Sequence, residues 1–175
     1  MAGIGKLTLA ALSAADRAPF VAALGGVFEH SPWIAEAAWD ARPFASVDAL
    51  REAMLAVLDR ASEEQKLALI RAHPELAGKE AAAGTLTVDS KGEQASAGLD
   101  RCSAEELREL RAGNLAYREK FGFPFVMAVK GRSRREILDA MAKRLANPRD
   151  VEFRASLDQI GRIARLRLAA LLAVG

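Results

Sequence analysis

Apolar residues recur along the chain at three- and four-residue spacing, and residues that start or stop helices bound each run. Leu50, Met54, Val57 and Leu58 share one helical face behind Ser46, a pattern that predicts an amphipathic helix with a serine N-cap. Ser62-Glu63-Glu64-Gln65 has the form of a capping box and leads through Leu67 and Ile70 to His73. Ser103-Ala104-Glu105-Glu106 opens a helix carrying Leu107, Leu110, Asn114 and Tyr117 to a stop at Gly122. Ser133-Arg134-Arg135-Glu136 opens another, carrying Ile137, Met141 and Leu145 to Asn147-Pro148. Upstream, Ser13 heads a segment with Phe20, Val21 and Leu24 that closes at Gly25-Gly26, a pair suited to a left-handed cap. Ser31-Pro32 supplies a cap and a first-turn proline before Trp33, Ile34 and Ala37. A last helix is predicted from about Val151 to about Leu172.

Two stretches break the helical pattern. Gly78 to Asp89 contains Gly84-Thr85-Leu86-Thr87 and reads as loop. Phe121 to Val129 has the composition of a strand but carries Pro124 in its middle, and no second strand candidate lies nearby. It is predicted to be buried irregular chain or a short helix starting at Pro124.

Composition agrees with a helical reading. Of 175 residues, 37 are alanine, whereas aromatic residues make up 6%; alanine is the best helix former and a poor strand former. The length suits one domain spanning 1–175. The expected fold is therefore all-α, a single-domain multi-helix bundle. With 25 basic against 23 acidic residues, the charge is too balanced for a nucleic-acid surface. Cys102 has no second cysteine to pair with, and His30 and His73 are the two histidines, which leaves no zinc-type ligand set. No apolar stretch nears the ~20 residues of a membrane span. The apolar run Leu7 to Leu12 behind Lys6 is too short for a usual signal peptide. The chain ends Ala173-Val174-Gly175, without a Ser-Lys-Leu address. The cytoplasm is the expected location.

Candidate chemistry is confined to ordinary acids, bases and cations, because no phosphate-binding glycine motif, zinc-protease motif or serine-hydrolase elbow occurs. His73 precedes Pro74, which marks the carboxyl end of a helix. The carbonyls there favour an imidazolium, so His73 is either a proton donor near neutral pH or a helix-ending histidine bonded to its own last turn. Ser90 and Glu93 have the spacing of a capping box, which by itself would be structural. At 100° per residue, Phe153, Leu157, Ile160, Ala164 and Leu171 share a face, and Arg167 falls within that stripe while Arg154, Arg162 and Arg165 project away. A guanidinium on an apolar face must be paired or must bind an anion. Either a buried ion pair or a polar ligand held among helices satisfies it. His30 reads as exposed loop, Cys102 as structural, and Trp33, Trp39, Phe44 and Tyr117 as core. The basic run Lys130 to Arg135 reads as a solvated helix start.

Several of these stretches together resemble one family. They are Ser31-Pro32-Trp33 with Trp39 and Arg42-Pro43-Phe44; His73-Pro74-Glu75-Leu76-Ala77-Gly78; Gly84-Thr85-Leu86-Thr87 with Ser90, Glu93 and Gln94; Asn114, Tyr117 and Lys120-Phe121-Gly122-Phe123-Pro124-Phe125-Val126; and Leu166-Arg167-Leu168. In order and over nearly the whole chain, they are similar to the 2-oxo-4-hydroxy-4-carboxy-5-ureidoimidazoline (OHCU) decarboxylases of urate degradation. The resemblance implies an all-helical homodimer that uses neither metal nor organic cofactor. It implies conversion of the ureidoimidazoline acid to (S)-allantoin and carbon dioxide. His73 matches the family's proton donor and Glu93 its second catalytic carboxylate. Pro74, Ser90, Gln94, the stretch Phe125, Val126, Met127, Ala128 and Val129, and Arg167 match substrate-contacting positions. A non-catalytic helical module that binds a ureide is the alternative of another class, and the presence of both His73 and Glu93 speaks against it.

Overall fold

The computed structural model describes residues 7–173, and every regular element among them is helical. In chain order these are α1 (Leu9–Ala14), α2 (Arg17–Leu24), α3 (Trp33–Ala38), α4 (Val47–Arg60), α5 (Glu63–Ala72), α6 (Lys79–Ala83), α7 (Val88–Ser96), α8 (Ala104–Phe121), α9 (Arg134–Leu145) and α10 (Arg149–Ala173). Single turns of 3₁₀ helix lie at Trp39–Ala41 and Leu99–Arg101. The fold is all-α, as composition and spacing predict. It divides into two compact units, one of residues 7–69 with 161–173 and one of residues 70–160. None of the described helices is long and apolar enough to cross a membrane. Lys6, Val174 and Gly175 lie outside the described residues.

In the first unit, α3 packs on α2 and α4, burying Phe20, Leu24, Ile34, Leu50 and Met54 almost completely. Each such side chain contributes roughly 1.5–3 kcal/mol on burial. Ser46 caps α4 by accepting the Ala49 N–H at 3.0 Å. Two other serines behave differently from the expectation. Thr8 caps α1, α2 begins after Asp16, and the Ser13 hydroxyl instead accepts the Phe44 N–H at 3.0 Å. Ser31 donates to the Glu29 carbonyl at 2.9 Å, leaving Pro32 at the start of α3 without a side-chain cap. Gly25 keeps right-handed geometry, with φ −62°, so the helix stop there is not a left-handed cap. At Ser13 a contact distant in sequence outweighs the local preference, and at Ser31 a competing acceptor only two residues away does so.

In the second unit, Ser103 with Glu106 and Ser133 with Glu136 form complete capping boxes at the starts of α8 and α9. The two helices pack closely because Gly113 has no side chain; a Cβ there would lie 2.2 Å from the Met141 sulfur. The predicted loop from Gly78 to Asp89 contains α6 and the first residues of α7. Its alanine-rich run Ala81-Ala82-Ala83 explains the short helix. α8 ends at Gly122, after which residues 123–129 are irregular, so the short helix at Pro124 does not form. Tyr117 holds this segment by packing its ring on Phe121, Phe123 and Phe125 at centroid distances of 4.5–6.0 Å.

Along α10 the stripe is shifted from the predicted one. Glu152, Ser156, Ile160, Ile163, Ala164, Arg167 and Leu168 are buried, Phe153 and Leu157 are half-buried, and Leu171 is exposed. Arg154, Arg162 and Arg165 face solvent, as predicted.

Candidate active site

His73 is buried at the end of α5, where its backbone N–H returns to the Ile70 carbonyl at 3.2 Å. Pro74 follows and the chain leaves the helix. The turn from Glu75 to Gly78 is tight: Ala77 adopts φ +48°, a left-handed conformation that is costly for a residue with a Cβ. Gly78 is required beside it, because a Cβ there would lie 2.7 Å from that of Glu75.

Two side-chain amides hold this strained turn in place. Gln94, on α7, accepts the Ala77 N–H at 3.0 Å and donates to the Glu75 carbonyl at 3.5 Å. Asn114, on α8, donates to the Leu76 carbonyl at 2.9 Å. Both amides are buried, which makes these bonds stronger than exposed ones and their loss more expensive. The clamp ties the His73 turn to the helix that carries Ser90 and Glu93. Thr87 caps that helix by accepting the Ser90 N–H at 3.2 Å, so Ser90 and Glu93 lie inside α7 and form no capping box. Ser90 and Gln94 are buried and Glu93 is half-buried, all within one third of the helix circumference. His73 also lines a cleft of about 240 Å³ together with Arg71, Glu75, Arg118, Phe123 and Pro124. Glu75 and Arg118 form an ion pair at its edge.

The segment from Phe125 to Val129 belongs to the same unit. Phe125, Val126 and Val129 are buried, and Met127 and Ala128 are half-buried. Behind it lies a buried polar network. Glu152, fully buried, receives Arg144 Nε at 2.9 Å, Asn147 Nδ2 at 2.8 Å and the Tyr117 hydroxyl. Burial and the Glu152 carboxylate together push the Tyr117 phenol well above its ordinary range, so it stays a neutral donor.

Arg167 lies in the first unit. Its guanidinium meets the Glu29 carboxylate at 2.8 Å, with side chains only 4% and 1% exposed, and donates to the Gly26 carbonyl at 3.2 Å. The apolar stripe predicted that Arg167 needs a counter-charge or an anion, and Glu29 supplies the former. Sequence reasoning missed Glu29, whose position in Glu29-His30-Ser31 resembles an exposed turn. His30 at its side is indeed exposed, with φ +47°. Asn114 was visible as a matching position but not as the partner of the His73 turn. Arg144 carried no local signal at all, since nothing in the spacing of a helical arginine reveals that it meets the buried Glu152.

Known proteins resemble this chain throughout. The family model described as OHCU decarboxylase matches residues 13–169. The 2-oxo-4-hydroxy-4-carboxy-5-ureidoimidazoline decarboxylase of Haloferax volcanii is 46% identical over 164 residues, covering 94% of this chain and 95% of that protein. Its counterpart in Halalkalicoccus jeotgali is 43% identical over 166 residues, covering 95% and 92%. The uric acid degradation bifunctional protein of Bacillus subtilis is 39% identical over 165 residues, covering 94% of this chain but 33% of that longer protein. Among solved structures, an (S)-allantoin synthase superposes with a TM-score of 0.77 at 29% identity, covering 95% of this chain and 54% of that chain. An OHCU decarboxylase crystallised in the presence of (S)-allantoin shares the fold with a TM-score of 0.69 at 22% identity, covering 91% and 99%.

Proposed function

The chain belongs to the OHCU decarboxylase family, and from that membership we propose that it converts the ureidoimidazoline acid to (S)-allantoin and carbon dioxide. The observation that carries this reading is the clamp that joins the His73 turn to the helix bearing Ser90, Glu93 and Gln94. It supports this reading because it joins the turn after His73 to the helix of Glu93, and stereospecific protonation requires donor and carboxylate to be held relative to each other.

The substrate supplies its own electron sink. The bond from the ring carbon to the carboxylate breaks, and its electron pair forms a double bond to the neighbouring ureido-bearing carbon. The pair of the ring C=N moves onto nitrogen, and neutral carbon dioxide leaves. A proton is then delivered to the ureido-bearing carbon, the hydroxyl on the adjacent carbon becomes a carbonyl, and the proton it releases ends on the ring nitrogen that received the C=N pair. One proton is consumed per turnover, and no added cofactor enters any step. His73 delivers the proton to a single face, which sets the hand of the product. Glu93 faces the departing carboxylate, where repulsion is relieved as charge is lost. Arg167 grips another oxygen of the substrate and contributes binding and orientation. Pro74, Ser90, Gln94 and the Phe125 to Val129 segment complete the contacts. The enzyme works as a homodimer in the cytoplasm, a state that light scattering of the purified protein tests.

The test of function is stereochemical. Urate oxidation products are generated in situ and the optical activity of the allantoin is followed. Wild-type protein gives the (S) form, whereas His73→Asn, properly folded, gives racemic product at the spontaneous rate, a loss of ~10² to 10⁴ in catalysis. Purely (S)-allantoin at the wild-type rate from that variant would remove His73 from the mechanism.

A further inference from the structure

The segment from Phe125 to Val129 has no regular structure to hold it, yet side chains pin two of its backbone groups. Arg144 Nη1 donates to the Val126 carbonyl at 2.7 Å, and Gln159 Oε1 accepts the Ala128 N–H at 3.0 Å. The peptides here are trans, and in a planar trans peptide the C=O and N–H point in opposite directions. One peptide carries the Val126 C=O and the Met127 N–H, so holding that oxygen on Arg144 turns the Met127 N–H away from it. The next carries the Met127 C=O and the Ala128 N–H, so holding that N–H on Gln159 turns the Met127 C=O away from it. Two anchors thereby set the direction of one donor and one acceptor on a single half-buried residue.

Arg144 is itself fixed on every side. Its Nε meets the buried Glu152 at 2.9 Å, and its Nη2 lies 3.4 Å from both the Tyr117 hydroxyl and the Ser156 hydroxyl. Its guanidinium lies over the Phe125 ring at 4.5 Å from the centroid. A buried ion pair adds little net stability over apolar residues of the same volume, because desolvation offsets the attraction. What such a network does provide is fixed geometry.

We propose that Arg144 and Gln159 are positioning residues for the reaction. They aim the Met127 N–H and C=O at the ureide arm of the substrate, whose own N–H and C=O groups complement that pair, an inference that rests on the Phe125 to Val129 segment contacting substrate. Gln159 gives the cleaner test, since Arg144 variants would strand the Glu152 charge. Gln159→Leu should keep its thermal unfolding midpoint close to that of wild type but raise KM roughly 5- to 10-fold, the worth of about one hydrogen bond. Its kcat should change much less. Gln159→Glu, which retains an acceptor for the Ala128 N–H, should restore KM to within about threefold of wild type. Should Gln159→Leu fold poorly, Gln159→Asn, whose amide is one methylene too short, is measured instead, with the same KM rise expected. A leucine or asparagine variant with wild-type KM, or a glutamate variant as impaired as leucine, overturns the positioning role. Absence of (S)-allantoin from wild-type protein would instead overturn the decarboxylase reading itself.

Discussion

Replacing Glu29 by leucine removes the carboxylate 2.8 Å from the Arg167 guanidinium and leaves a cation whose side chain is only 4% exposed. Stranding a buried charge in this way costs about 3–5 kcal/mol. For a chain of this length each kcal/mol shifts the unfolding midpoint by roughly 2–4 °C, so Glu29→Leu should melt roughly 6–20 °C below wild type. Glu29→Leu combined with Arg167→Met replaces the pair by apolar groups of similar volume, and should recover to within about 1–2 kcal/mol of wild type. The four proteins form a double-mutant cycle, read by denaturant unfolding followed with circular dichroism. Turnover is measured on the same samples. The double variant should be stable yet bind substrate poorly, with a strongly raised KM, because stability needs the charges balanced whereas binding needs the guanidinium. Additive losses in the double variant would show that the two charges do not depend on each other. A stable double variant with wild-type KM would refute the assignment of Arg167 to substrate.

Glu93→Gln should lower kcat with little change in KM, since its charge is proposed to act on the departing carboxylate rather than on binding; full kcat in steady-state assays would exclude that role. Gly78→Ala forces a Cβ to within 2.7 Å of Glu75, and should lower kcat and the melting temperature together by disturbing the His73 turn, which kinetics and calorimetry check in one preparation. Glu106 and Glu136 are held below the ordinary carboxyl value of 4.5, chiefly by the backbone N–H groups of Ser103 and Ser133. A depressed folded-state value stabilises the fold above the ordinary value and is lost as pH falls through the depressed one. Glu106→Gln with Glu136→Gln should therefore lower the unfolding midpoint near neutral pH, and the difference from wild type should shrink progressively as pH falls below the ordinary carboxyl value.

Much of this protein is written locally. The helices starting at Ser46, Ser103 and Ser133 are legible because a capping hydrogen bond spans three residues and needs nothing from elsewhere in the chain. The break at His73-Pro74 is equally local, since a proline excludes helical geometry from the residue before it. Pro124 likewise kept Phe121 to Val129 out of a sheet, although it could not decide between irregular chain and a short helix. Competing partners, some distant in the chain and some only two or three residues away, made the remaining choices. Ser13 and Ser31 have the residue type of caps, but the Phe44 N–H and the Glu29 carbonyl claim their hydroxyls. Ser90 and Glu93 have the spacing of a capping box, yet Thr87 starts the helix first and leaves both within it. The stripe on α10 established that Arg167 must meet an opposite charge, because hydrocarbon surroundings cannot hold a lone cation. Which carboxylate answers it depended on where the turn at Glu29 comes to rest, and no periodicity within a helix carries that information. The same holds for Met127: its sequence neighbours show a buried segment, but only Arg144 and Gln159, brought up from α9 and α10, decide where its backbone points.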